Sequence, residues 1–400
     1  MRSTAIERTD AVVVGCGVAG GMLAGLLAAD GYRVIALEKR PTIGIPVRCG
    51  EAAGPRDEIA HFIPVDEEFV SADLNGVRVV APDMSCFEQR MPGFGVVLER
   101  DRFDQALCRQ AESRGALVRT HHEAIGLEKD GDRVVGVVVR DHAAGSVYTI
   151  ASKITIGADG IEAFVGRWAG LTGHLRPREI HSGAEYLLEG DGLPTDAIEL
   201  HVGWNIAPGG YAWVFPKGRG RANVGVGVHP ALKKNATARD YLDRFVNQRF
   251  PGLERRRFIA GGVSGSRPLK TMVGDGVLLV GEAARHNNPL SGGGIMNSLE
   301  AAEQAHRVIA DALANDDTSR NALKRYDAEW HETNGRSIHK FALLRELFFR
   351  LDDEELTSVV NIIGRTVAAK PGPITDYTEI FRIAFKTAPG VLWKAGRALW

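Results

Sequence analysis

The chain is poor in cysteine, in aromatic residues and in net charge, and each shortage closes off a class of function. Its four cysteines, Cys16, Cys49, Cys86 and Cys108, stand without CxxC or zinc-ligand spacing. That distribution argues against a metal site or a secreted disulfide framework and for a reducing, cytoplasmic setting. Lysine plus arginine (49) nearly cancels aspartate plus glutamate (50), so no bulk basic field recommends a nucleic-acid partner. Stretches of about 18 uncharged apolar residues are missing, and the opening MRSTAIERTD carries charge where a secretion signal needs an apolar core. The expectation is a protein that does not span a membrane. There is also no internal repeat and no low-complexity tract.

Glycine is abundant instead. Its 47 residues in 400 exceed the usual share of about 7%, and they gather in loops beside apolar strands, where turns cradle cofactors. A chain of this length allows roughly two or three domains.

The first glycine cluster is the clearest. Residues 11–14 form an apolar run, Gly15, Gly17 and Gly20 make a GxGxxG turn, and residues 22–29 continue as a helix-compatible segment. A second apolar strand over 33–37 ends at Glu38. An acid about 20 residues beyond the glycines is the partner expected for a ribose hydroxyl. The glycines let backbone N–H groups approach a pyrophosphate at the helix N-terminus and let helix and strand pack closely. This pattern predicts a dinucleotide site.

Residues 211–227 read YAWVFPKGRGRANVGVG. In a strand, Tyr211, Trp213 and Phe215 share one face while Ala212 and Val214 take the other. Such a face is more often core than site, but Pro216, the apolar neighbours and the Gly225–Gly227 pair suit the wall of a long apolar slot. Further on, residues 119–156 alternate as a β-meander with turns at Asp130-Gly131 and Ala144-Gly145. Residues 301–313, 323–331 and 336–351 show helical spacing, and Pro371-Gly372-Pro373 marks a break. The last stretch, 380–400, is basic and amphipathic, fit either for an anionic membrane surface or for packing on the protein body.

Two more strand–loop–helix segments resemble the flavoprotein hydroxylase superfamily. The run ending in Ala158-Asp159-Gly160 resembles its ADG motif, with Ala163 where a serine is usual. The strand at 277–280 leads into GEAARHNNPLSGGGIMNSLEAA, which resembles the GDAA segment with Glu282 in place of the shorter acid. The resemblance implies that the dinucleotide is FAD, that Asp159 and Glu282 lie beside it, and that Gly281, Gly292, Gly293, Gly294 and the helix start at Ile295 face the isoalloxazine edge. In ERDRFDQAL, Arg100 matches the superfamily's flavin-touching arginine, and Arg102 reads as surface charge.

With Arg48-Cys49-Gly50-Glu51, the YxWxFP run with its trailing GxG, and PLSGGGI, the chain resembles the geranylgeranyl reductase family over roughly residues 10–310. That likeness implies an FAD enzyme that saturates double bonds of isoprenoid lipids. It implies an α/β architecture: a Rossmann-type FAD-binding domain (1–75, 98–175 and 266–315), an inserted antiparallel β-sheet catalytic domain (76–97 and 176–265) and a C-terminal helical region (316–400). Arg48 and Cys49 would stand at the flavin, with Tyr211, Trp213, Phe215, Gly225 and Gly227 on the lipid. An isolated alkene has no carbonyl to polarise it, so hydride delivery must be joined to delivery of a proton. A thiol near its ordinary value of about 8.5 is protonated at neutral pH, which makes Cys49 the first candidate for proton donor or gate; the alternative is a small packed residue. Arg48 could steady the flavin pyrimidine or lower the thiol pKa, and Glu51 would oppose ionisation. No second dinucleotide fingerprint is visible, so NADPH, ferredoxin and a reduced deazaflavin all stand as external electron donors. Because fold does not fix function, a flavin monooxygenase or halogenase and a non-catalytic lipid-carrying flavoprotein are the rival readings.

Overall fold

A computed structural model describes residues 6–232 and 235–369. The apolar run near the start forms strand Glu7–Val14, the centre of a mainly parallel sheet. Along its edge-to-edge path the sheet runs Val273–Gly274, Val277–Leu279, Ser146–Gly157, Glu7–Val14, Val34–Leu37 and Leu117–Arg119. Helix Val18–Ala29 is apolar nearly all round, so it cannot lie at the surface. It is wedged between helices Arg100–Ser113 and Ile295–Ala314. These three helices and the sheet share one core, in which Val12, Leu23, Leu27, Phe103, Leu107 and Leu299 are fully buried.

The second sheet is larger in span and mostly antiparallel, in the order Glu254–Ser264, Ile180–Glu189, Arg221–Val228, Tyr211–Pro216, Ala197–Val202, Val70–Val80, Cys86–Leu98, Ala52–Ala53. One face is covered by helix Ala238–Arg249, begun by a capping box in which Thr237 and Asp240 satisfy each other's backbone N–H groups. Its Tyr241, Leu242, Phe245 and Val246 pack on Ala212, Val214, Val224 and Val226. Strand alternation therefore turns Tyr211, Trp213 and Phe215 to the opposite face, towards the cofactor-type sheet.

Three details depart from the sequence expectation. Strand Val70–Val80 belongs to the second sheet along its whole length and runs across the boundary expected between residues 75 and 76. The meander strand and the strand before Asp159 are one continuous element, Ser146–Gly157, antiparallel to Arg133–Asp141 at its start and parallel to Glu7–Val14 along its length. The helix expected to end at 331 and the next, expected from 336, are joined by a π-helical turn at His331–Gly335, and a further helix, Asp353–Ala369, follows. That last helix reaches the second sheet, where Gly364 lies against Phe87. The Pro-Gly-Pro break and the basic amphipathic end at 380–400 lie outside the described residues.

Strand Val277–Leu279 is short but fixes the loop that follows. Leu279 is fully buried and fills the space that side chains would occupy at Gly157 and Gly166. Leu279→Ala should cost about 2–5 kcal/mol, the range for an unrelaxed core cavity, read as a lower urea midpoint. A loss below about 1 kcal/mol would mean that the two glycine backbones close over the gap.

Candidate active site

The dinucleotide cradle is built by close approach. Gly15 takes φ +101°, and a side chain there would run into the Ala158 carbonyl; one at Gly20 would run into the Gly15 carbonyl. Above Gly17 the space is open, with no heavy atom within 4 Å of a Cβ position. Helix Val18–Ala29 begins there without a side-chain cap, so its first N–H groups remain available to an anion. Glu38 stands at the end of strand Val34–Leu37, its oxygens accepting from the backbone N–H of Arg40 (3.0 Å) and Cys16 (3.4 Å). Asp159 accepts from the Val165 N–H at 2.9 Å through one oxygen, while the other is buried with no partner. Burial raises its pKa against the pull of those backbone donors. An open glycine floor, an uncapped helix start, an acid at the strand end and an unsatisfied carboxyl oxygen fit a dinucleotide.

The late glycine loop closes the other side. Gly281 adopts φ +67° and packs on Ala19 of the first helix. Its N–H donates to Nδ1 of His286 (3.2 Å), a fully buried imidazole stacked on Trp330 at 3.8 Å and held neutral by burial, its pKa pushed down to about 3. Glu282 accepts from the Ser264 N–H at 3.0 Å, and burial, opposed by that bond and by Arg100, lifts it to about 6. One oxygen of the acid expected beside the dinucleotide is thus anchored to the second sheet. Gly292, Gly293 and Gly294 lead to the uncapped N-terminus of helix Ile295–Ala314. The loop is tied to the aromatic face by a short hydrogen bond from the Tyr211 hydroxyl to the Ser291 carbonyl.

Between the two sheets lies the loop that carries Arg48, Cys49 and Glu51. Glu51 is fully buried in the left-handed region (φ 73°) and pairs with the ammonium of Lys217, also fully buried. Asn223 Nδ2 donates to the same carboxylate at 2.6 Å and the Arg100 N–H at 2.8 Å. Lys217 also reaches Glu99 at 2.8 Å and the Leu98 carbonyl at 2.9 Å. This cluster was not legible as a site; Glu51 was expected only as a neighbour of the thiol. Its fixed N–H donates to Cys49 Sγ at 3.2 Å. Burial raises the thiol pKa; Arg100 and that N–H pull it down, and Glu51 and Glu185 add to the rise.

The two arginines take different parts from those expected of Arg48. Arg48 lies with its aliphatic stem over Gly261 and is exposed, whereas the cation acting on the thiol is Arg100. Arg100 is held bidentate by Asp104 at 3.0 Å on both oxygens. Arg102 pairs with Glu68 at the surface.

Trp213 stacks on Phe215 (6.1 Å between centroids, 28°) and meets Tyr211 edge-on at 5.8 Å. Both Trp213 and Phe215 abut Gly50, where a side chain would fall within 3.2 Å of either ring. The expected open slot is therefore closed on this side by the Cys49 loop. The indole of Trp213 lies directly over Gly225, a residue expected on the lipid, and next to Gly227. Beneath the same ring, Glu185 accepts the indole N–H at 2.8 Å. Leu74, Phe94, Ile198 and Leu200 continue the apolar surface beside the rings.

A parallel dinucleotide-type sheet meeting an aromatic-faced antiparallel sheet across two glycine loops defines a flavoprotein oxidoreductase. A family profile for the geranylgeranyl reductase catalytic domain matches residues 179–265. The chain is 37% identical to digeranylgeranylglycerophospholipid reductase of Methanothrix thermoacetophila, with 97% of this chain and 98% of the relative covered. It is 38% identical to the enzyme of the same name from Methanosarcina acetivorans over 96% and 94% of the two chains. A geranylgeranyl bacteriochlorophyll reductase-like protein from Thermoplasma acidophilum superposes with a TM-score of 0.90 at 30% identity, covering 98% of this chain and 100% of that one. The chain belongs to the geranylgeranyl reductase family. A flavin-dependent brominase, at 20% identity and a TM-score of 0.71, shares the fold alone.

The buried ion pair makes a direct prediction. Lys217→Met leaves the Glu51 carboxylate without its cation and should cost about 3–5 kcal/mol in urea unfolding. Adding Glu51→Gln should recover much of that loss, since the uncompensated charge is gone. A double variant as unstable as the single one would place the cost in packing rather than in charge.

Proposed function

We infer that the protein binds FAD and saturates carbon–carbon double bonds in the isoprenoid chains of a geranylgeranyl lipid. The observation that carries this reading is the placement of a protonated thiol, Cys49, on a rigid loop pressed against the Trp213–Phe215 stack. Reduced FAD supplies a hydride from N5 when bound. The cradle residues Gly15, Gly17, Gly20 and Glu38 would hold its ADP half. Asp159, Glu282, Gly281, Gly292, Gly293, Gly294 and Ile295 would hold the flavin half, with Arg100 near the ring.

The chain's own residues supply what an unpolarised alkene requires. Tyr211, Trp213 and Phe215, with Leu200 and Ile198 beyond them, present an apolar wall on which an isoprenoid segment lies without loss of hydrogen bonds. Cys49 stands at the edge of that wall with its proton in place. It donates to one alkene carbon while the other carbon is reduced. The dry surroundings that raise the thiol pKa also keep water from competing for that proton. The reductant comes from an external carrier: NADPH, ferredoxin or a reduced deazaflavin. A lipid substrate also gives the chain reason to work at a membrane surface, although no helix among the described residues is long and apolar enough to cross one.

The test is mass spectrometry of a geranylgeranyl lipid incubated with dithionite-reduced protein, where each reduced double bond adds about two mass units. An unchanged lipid mass with flavin bound and reduced would leave only a lipid-binding flavoprotein. Cys49→Ala should keep the flavin and lose at least tenfold in reduction rate, in line with the contribution of a positioned acid, about 10²–10⁴-fold. Full turnover in that variant would remove the thiol from the chemistry. Trp213→Ala should weaken lipid binding and spare flavin binding; unaltered lipid affinity would reduce the ring to core packing.

A further inference from the structure

Glu185 has no place in the function described so far, and its surroundings are unusual. It lies on strand Ile180–Glu189 opposite Gly225 and Ile259 of the two neighbouring strands, on the face that carries Trp213. The residue is 2% exposed and makes no ion pair with any described residue. One oxygen accepts the Trp213 indole N–H at 2.8 Å; the other is buried with no hydrogen-bond partner among the described residues. An ionised carboxylate left with a bare oxygen in such a place would be costly. A carboxylic acid with a bare oxygen costs much less, because no charge is left without a partner.

The charges around it favour the same state. Glu51 faces it from the Cys49 loop, Lys217 stands behind Glu51 and is engaged by Glu51 and Glu99, and Arg257 reaches in from strand Glu254–Ser264. Burial, then the negative charge of Glu51, lifts the acid to about 8 against the indole N–H, Arg257 and Lys217. The indole nitrogen that donates to Glu185 lies against Gly50, the residue next to Cys49, and the charge of Glu185 adds to the rise of the thiol pKa.

We propose that Glu185 is the proton reserve of the site, returning a proton to the Cys49 thiolate that remains after the thiol has protonated an alkene carbon. The proposal rests on the reading of Cys49 as proton donor. In the step, the O–H bond of the Glu185 carboxyl breaks and an S–H bond forms on Cys49, leaving a carboxylate and a neutral thiol. No electrons are exchanged. The direction is favourable because burial holds the thiol above its ordinary pKa, so its anion is the stronger base. Between turnovers the carboxylate takes a proton from solvent, which reaches the cluster at Arg257, whose side chain is 38% exposed. Glu185 is thus a positioning and supplying residue that acts through the thiol and need not touch the lipid.

Glu185→Gln tests this, because an amide oxygen still accepts the indole N–H while the amide carries no proton to give. Flavin-loaded protein kept reduced with excess dithionite is mixed with a geranylgeranyl lipid at pH 8 and quenched at intervals for mass analysis. The wild-type protein should reduce double bonds linearly. The variant should reduce about one per protein at the wild-type rate and then slow at least tenfold. In a second measurement, without lipid, peptide-resolved alkylation of Cys49 by iodoacetamide is followed against pH. The variant should titrate lower, with a rise on the order of tenfold in thiolate at fixed pH, because a neutral amide replaces a group that ionises before the thiol. Linear turnover in Glu185→Gln, or an unmoved thiol titration, would overturn the proposal. So would equal loss of the first and later turnovers together with lipid affinity, which would leave Glu185 as a mere prop for Trp213. Full activity in Cys49→Ala would sink the thiol reading itself, an outcome separate from any result with Glu185→Gln.

Discussion

The buried pair between Lys217 and Glu51 is the constraint from which the site follows. Its partners arrive from far apart in the chain: Glu51 from the loop after the second strand of the cofactor-type sheet, Lys217 from the turn after the aromatic strand, Asn223 from the return strand, and the Arg100 N–H from the start of a helix. An ion pair of this kind stabilises little in net terms once desolvation is counted, but it punishes any arrangement that separates its members. It therefore selects one placement of the loop. Cys49 inherits that placement, with its sulfur receiving the Glu51 N–H and its neighbour Gly50 flat against two rings.

Around this fixed loop the two sheets divide the labour. The mainly parallel sheet ends in glycine turns at an uncapped helix start and carries one buried carboxyl oxygen, on Asp159, that has no hydrogen-bond partner among the described residues. The antiparallel sheet turns one face to a helix and the other, aromatic, to the loop. Tyr211 ties them by its bond to Ser291, so the wall of rings and the late glycine loop hold each other in register. The electrostatic design is economical: burial lifts Cys49, Glu185 and Glu282 above their ordinary pKa values, and Lys217 and Arg100 nearby are each already engaged by a carboxylate.

What the sequence disclosed was the chemistry of short range. GxGxxG, the acid at residue 38 and the alternation of Tyr211, Trp213 and Phe215 are local patterns whose physical meaning holds within one turn or one strand. Glu51 and Lys217 are separated by 166 positions, and neither residue type announces a buried partner. Glu185 sits in IHSGAEYLLE, where nothing local sets it apart from Glu189, the other acid of the same strand. Arg100 was hidden for a similar reason: the cation that acts on the Cys49 thiol comes from a helix start 51 residues further along the chain, not from the neighbouring residue. The boundary expected between residues 75 and 76 falls inside one strand, Val70–Val80, where a register shift between Leu74 and Gly76 interrupts the local pattern without ending the strand.

Gly225 also fixes how deep the aromatic face lies. By leaving out a side chain beneath Trp213, the sheet lets the indole sink to the level of the backbone, held by Glu185 through its N–H and stacked on Phe215. Any Cβ at residue 225 would meet the indole and displace it, and with it the surface on which Gly50 rests.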